Sequence, residues 1–222
     1  MRLPGSRLAP LIFPVVYPMN TGNEASIMAQ PPTEEDIRPA MPSTPPSRDE
    51  IIARLCLKCG LCCDGSLFAD VELAANEAAR LKATGLRPRG KRFGSGSTAA
   101  LLPQPCAALG EDCRCAVYED RPRHCRDFEC LLFQEVAAGA IRLASAQRVT
   151  RKACRLREEA RELMNLLTDA GEGKPLRDRF GMIAEMLEEY DPDAETVAVF
   201  GELTMIWQDL VHLLGTRFYR ES

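Results

Sequence analysis

The chain has 222 residues, a formal net charge of −4 and 45% hydrophobic residues, with ten cysteines and two histidines. That is enough apolar material for an ordinary core in one or two domains, so small size does not explain the cysteines. The mild charge argues against a nucleic-acid or membrane-surface partner, and no apolar run is expected to be long enough to span a bilayer.

At the N-terminus, Arg2 and Arg7 precede an apolar stretch over 8–16 that imitates a signal peptide. Pro10 and Pro14 interrupt it and no small-x-small cleavage site follows, so a cytoplasmic protein is expected. The stretch reads as a disordered extension, or as residues ahead of a later start at Met19 or Met28. Residues 1–46 are Pro-rich and polar, too poor in apolar surface to offset the entropy of ordering, and predict a disordered extension.

Order is expected from Ser47, where Ser47-Arg-Asp-Glu50 has the form of a capping box. The helix it opens carries Ile51, Ile52 and Leu55 and delivers Cys56. A second helix is predicted over 70–82, with Val71, Ala74, Ala78 and Leu81 on one face and Gly85 ending it. The basic stretch Arg87–Arg92 reads as irregular, a solvated loop or a counter-charge to thiolates. Short strands or turns are predicted at 99–102 and 116–118, and a helix over 125–138.

Beyond residue 140 the apolar residues recur at helical spacing in three runs, at 149–167, 176–187 and 199–213. Gly171 and Gly215 are placed to end two of these helices, and Asp191-Pro192 to start one. The expected fold is therefore mainly α, with small irregular or β elements. A cysteine-cluster module over 47–140 precedes a helical C-terminal region over 141–222.

Nine cysteines fall between 56 and 130. Cys56, Cys59, Cys62 and Cys63 read C-L-K-C-G-L-C-C; Cys106, Cys113, Cys115, Cys125 and Cys130 follow as a second group. Two-residue gaps bring sulfurs within reach of one metal, and soft thiolates suit zinc or an iron–sulfur cluster. Disulfides are the alternative, but vicinal Cys62–Cys63 is awkward in such a framework. Iron–sulfur is the preferred cofactor, with Zn2+ the other, because C-x-x-C-x-x-C has cluster-binding spacing. Gly60 tolerates the positive φ that such a turn needs. Adjacent Cys62 and Cys63 are expected to project in different directions, one of them toward a second metal or the later group. Nine thiols exceed the four ligands of one ion or cluster, so they imply several centres, bridging thiolates or non-ligating thiols.

Around them, Arg121 and Arg126 read either as charge compensation for thiolates or as partners of Glu119, Asp120 and Asp127. Sulfur is abundant enough that His124 is not expected to ligate. Cys154 reads as a small packing residue apart from both groups, and Asp64, Glu72 and Glu77 as solvated carboxylates. Phe93-Gly-Ser-Gly-Ser97 lacks the context of a P-loop, and no serine, histidine and acid arrangement stands out.

C-x-x-C-G-x-C-C at 56–63, Pro105-Cys106, and Cys115-Ala-Val-Tyr-Glu-Asp-Arg-Pro-Arg-His-Cys-Arg-Asp-Phe-Glu-Cys130 together resemble the CxxCxxCC cysteine-cluster proteins. This is the YkgJ family of zinc- or iron-chelating domains, to which flagellin lysine N-methylase is also similar. The resemblance covers residues 50–135. It implies that Cys56, Cys59, Cys62, Cys63, Cys106, Cys115, Cys125 and Cys130 ligate metal, with Cys113 an extra thiol beside Cys115. Electron transfer or metal handling is the expected role. A methyltransferase-like protein-modifying activity is the enzymatic alternative, and a structural zinc module presenting the C-terminal helices to a protein partner is the third.

Overall fold

The computed structural model describes residues 45–92 and 98–219, all within a compact unit spanning 41–222. The extension expected over 1–46 lies outside the described residues as far as residue 44, as does Phe93–Ser97.

The described elements are α1 Arg48–Arg54, a 3-10 turn at Cys56–Lys58, β1 Asp70–Leu73, α2 Glu77–Ala83, β2 Arg89–Arg92, β3 Thr98–Pro103, α3 Arg123–Asp127, α4 Leu131–Ala137, α5 Leu143–Leu167, α6 Leu176–Glu189 and α7 Ala194–Arg217. The fold is mainly α with one small sheet, as the sequence predicts. Ser47 caps α1 as expected, its hydroxyl accepting from the Glu50 N–H at 3.2 Å.

The stretch 70–82 is not one helix. Asp70–Leu73 alternates buried and exposed positions and pairs antiparallel with β3, Val71 facing Leu102. Only Glu77–Ala83 is helical, and Gly85 at φ +87° turns the chain away as predicted. The strand predicted at 99–102 is present as the middle strand of the order β1-β3-β2. At 116–118 the predicted alternative of a turn is the one that forms, just after Cys115 makes an isolated bridge to Leu109.

The basic stretch is likewise not irregular: Arg89–Arg92 is an edge strand, exposed throughout, with Arg89 paired to Asp70 at 2.6 Å. Cationic side chains on an edge discourage pairing with another chain, and none of β2 lines the cysteine cavity. Val71, Leu73 and Leu102 of the sheet close on Leu81, Leu86 and Ala108 to form a small core.

The helix predicted over 125–138 is two helices. Phe128 and Cys130 are extended (ψ 124° and 164°), which breaks the helix and starts α4 afresh at Leu131. The three C-terminal helices appear where the periodicity places them. Along α5, Ala146, Ala153, Leu156, Ala160 and Met164 are buried and pack with Leu203, Leu210 and Leu214 of α7 and Ile183 of α6. The same core takes in Ile51, Leu55 and Leu61 from the first cysteine segment and Leu132, Phe133 and Val136 from α4.

Two predicted boundaries shift. Asp193, not Asp191, caps α7, accepting from the Thr196 N–H at 2.8 Å. The helix then runs through Gly215 to Arg217, because the turn beyond it delivers buried Phe218 to the core. The Phe218 carbonyl accepts from the Leu131 N–H at 2.9 Å, joining the end of α7 to the start of α4. By length and composition α7 is apolar enough to cross a membrane, its best window reaching a mean hydropathy of 1.3, against the expectation that no run would. It buries Leu203, Leu210 and Leu214 while leaving Val197 and Met205 exposed.

Candidate metal centre

The first cysteine group is shaped by its backbone. Cys56–Lys58 turns tightly, the Cys59 N–H donating to the Cys56 carbonyl at 3.1 Å. Gly60 takes φ +71°, and its carbonyl accepts from both Cys63 and Asp64 N–H at 2.8 and 3.0 Å. This is the positive-φ turn the sequence predicts, with buried Leu61 as its apolar anchor. The vicinal thiols do not diverge as expected: the Cys62 and Cys63 sulfurs stand 3.7 Å apart. Zinc–sulfur bonds of 2.3 Å give a tetrahedral sulfur–sulfur edge of about 3.8 Å, so this separation suits one shared ion.

Asp64 is not a solvated carboxylate. It is buried, accepts from the Ser66 N–H at 2.9 Å, and pairs with Arg157 of α5 at 2.7 Å and Arg161 at 3.6 Å. Burial opposes the Arg157 charge, but the Asp64 carboxylate more than offsets it and raises the pKa. A charged pair thus clamps the cysteine loop to the long helix.

The second group is held against the first by main chain. The Cys106 N–H donates to the Cys63 carbonyl at 2.7 Å, and Gln104 N–H to the Ala69 carbonyl at 3.0 Å. Cys113 follows in the left-handed region at φ +63°, close enough to Gly60 that a Cβ there would lie 3.3 Å from its sulfur. Glu77, also expected to be solvated, is buried; its carboxylate accepts from Ala74 N–H at 2.8 Å and Arg123 N–H at 2.6 Å. It thereby fixes the start of α3, which carries Cys125.

These segments enclose one cavity of about 150 Å3, and all nine predicted thiols line it: Cys56, Cys59, Cys62, Cys63, Cys106, Cys113, Cys115, Cys125 and Cys130. None is disulfide-bonded. Leu55, Leu67, Phe68, Val71, Leu102 and Phe133 supply apolar wall between the sulfurs. Gln104 and Thr150 also line it, each with a buried side-chain oxygen that has no protein partner. As the side chains stand, no three Cys, His, Asp or Glu groups among the described residues lie within one ion's reach. The donor set nonetheless fits a soft cation: thiols outnumber every other kind of donor in the wall, and buried orphan oxygens are rare unless something meets them.

Cys63 is the electrostatic hub, acting on Cys56, Cys106, Cys115 and Cys125. Hydrogen bonding with Cys62, and then burial, push the Cys63 thiol far up. Burial, with Cys130 beside it, raises Cys56 to about 12, and burial with Cys63 beside it raises Cys125 to about 12. Burial also raises Cys106, Cys113, Cys115 and Cys130. These raised thiols are therefore protonated at neutral pH unless a cation displaces their protons.

Of the two readings of the arginines, each has its residues. Arg121 lies over the Tyr118 ring at 3.5 Å, donates to the Tyr118 carbonyl at 2.8 Å, and opposes the upward shifts of Cys63, Cys115 and Cys125. Arg123 pairs with Asp127 instead, and Arg126 donates to the Arg121 carbonyl at 2.7 Å. His124 is exposed at the rim, its ring 5.5 Å from Phe68 and 6.2 Å from Phe128.

Cys154 is where the sequence reading fails. Its thiol donates to the Cys59 carbonyl at 3.5 Å, so it stands beside the first group rather than apart. The Cys59 thiol beside it holds Cys154 below its ordinary pKa, against burial and with help from Arg157, while Cys59 is raised. The signal was present: Thr150, Cys154, Arg157 and Arg161 recur at steps of four, three and four, a polar stripe beside the apolar one.

Residues 55–155 match the CxxCxxCC family model, described as "Putative zinc- or iron-chelating domain". The match spans all nine cysteines of the cavity and extends to Cys154. Comparison with curated proteins and with solved structures returns no match. The match and the convergent thiols together support metal binding.

Proposed function

We propose that this protein is a thiolate metalloprotein of the YkgJ kind whose cavity holds an iron–sulfur cluster, with electron transfer or metal handling as its role. One observation carries the reading: nine cysteines, spread over 75 residues from Cys56 to Cys130, line a single cavity. Packing alone does not gather thiols in this way, since the space between them is left open rather than filled. The cavity volume and the C-x-x-C-x-x-C turn favour a polynuclear centre over one ion.

Such a centre would supply reversible one-electron chemistry when bound. The chain's own contributions are a wall of sulfur donors, the Arg121 guanidinium to offset their charge, and apolar residues that keep water away. Iron, zinc and acid-labile sulfide measured on anaerobically purified protein test the reading. Iron with equivalent sulfide and a brown colour are expected; a colourless protein with stoichiometric zinc would replace the cluster by zinc.

The 3.7 Å separation of the Cys62 and Cys63 sulfurs favours a second reading, a structural zinc module. In that case substitution of a cysteine pair unfolds the domain with no redox phenotype.

A further inference from the structure

We propose that Cys154 of α5 joins Cys59 and Cys113 in a second thiolate centre, distinct from one built on Cys63, Cys106, Cys115 and Cys125. The proposal rests on the reading that residues 55–155 chelate metal, and adds a ligand from outside the two cysteine motifs.

The thiols divide between two cores. Cys106, Cys115 and Cys125 pack on the small core under the sheet, whereas Cys59 and Cys154 pack on the large helical core. Cys63 bonds through its carbonyl to the Cys106 N–H and so belongs with the sheet side. On the helical side, the Cys154 sulfur lies 3.5 Å from the Cys59 carbonyl, and the Cys113 sulfur faces Gly60, the next residue, where a Cβ would come within 3.3 Å of it. Three thiols from three separate segments thus surround one peptide, Cys59-Gly60.

Two further observations point to a ligand there. Thr150, one helical turn before Cys154, lines the cavity with a buried hydroxyl that has no protein partner. Cys113 is the one non-glycine residue with positive φ among the described residues, a conformation that costs about 1 kcal/mol or more and is kept where its side chain is needed. Arg157 stands by as counter-charge, acting on both Cys113 and Cys154. Three thiolates and a fourth donor meet the tetrahedral requirement of zinc.

The test combines metal analysis with alkylation mapping on the full chain. Iron plus zinc per protein is measured for wild type, the C113S/C154S pair and the C63S/C125S pair, with far-UV circular dichroism to check folding. Each pair is expected to lose about half of the bound metal and keep the rest, as two four-ligand centres require. Mass spectrometry of wild type treated with iodoacetamide is expected to show Cys154 protected when loaded and reactive after chelation; this readout needs no variant. Full metal content in C113S/C154S, complete loss in either pair with the fold intact, or equal Cys154 reactivity in both states overturns the proposal while leaving metal binding itself standing. A wild type without metal overturns both.

Discussion

The Cys106 N–H donates to the Cys63 carbonyl across 2.7 Å, joining the two cysteine groups through main chain beside the cavity that both line. Sulfurs more than forty residues apart in sequence are therefore brought together by peptide geometry, before any cation contributes. Cys63 is consequently the thiol whose loss reaches furthest. Cys63→Ser is expected to release most of the metal from the Cys106, Cys115 and Cys125 side, whereas Cys56→Ser, at the exposed edge, costs less; elemental analysis of the two purified variants checks the order.

Removing Asp64 tests the clamp between the loop and α5. Asp64→Ala leaves the guanidinium of Arg157, whose side chain is only 15% exposed, with the exposed Glu158 carboxylate at 3.4 Å alone. Breaking one side of a buried pair is destabilising by about 3–5 kcal/mol, and Glu158 sets the loss toward the lower end of that range. Urea denaturation of the metal-loaded variant should show that loss, and Asp64→Asn, which keeps an acceptor for Ser66 N–H, a smaller one.

Glu77 supports Cys125 indirectly. Glu77→Ala strips the acceptor from the Ala74 and Arg123 N–H groups, costing about 1–3 kcal/mol for the loss of two part-buried bonds to a charged group. Metal affinity is expected to fall with stability, and competition with a chromogenic chelator measures it. Glu77→Gln should recover part of both.

At Gly60 an alanine would have to adopt φ +71° and place its Cβ 3.3 Å from the Cys113 sulfur. Gly60→Ala is expected to cost about 1–2 kcal/mol from the backbone alone. Faster metal loss to chelator than in wild type should accompany it.

The thiol shifts set a pH dependence with a definite sign. Cys125 has an ordinary pKa of 9.0 and is raised to about 12 by burial, so the metal-free fold holds this thiol proton more tightly than the unfolded chain. That contribution is complete below pH 9 and is lost as pH rises toward 12. Metal binding reverses the sense, since thiolates are required and loading releases protons. Thermal melts of metal-free protein should weaken above about pH 9, whereas metal affinity should weaken as pH falls.

What the sequence revealed was whatever short-range pattern determines. Ser47 capped its helix, Gly60 and Gly85 made their turns, and the C-terminal stripes became α5, α6 and α7 because helical spacing is local. Asp70–Leu73 misled because four residues support either periodicity, and its partner strand lies some thirty residues on. The nine cavity thiols were legible from their spacing. Cys154 was not, because its role depends on which face α5 turns toward the Cys59 loop, and Asp64 and Glu77 were misread for the same reason: burial is set by tertiary packing.

Phe218, one residue beyond α7, forms part of the cavity wall and ties its carbonyl to Leu131, next to Cys130. During translation, therefore, the thiols emerge long before their enclosure is finished. The cysteine run leaves the ribosome open to solvent and oxidants, and sealing waits for the closing residues of the last helix. A chain stopped ahead of Phe218 should therefore arrive with its sulfurs still reachable.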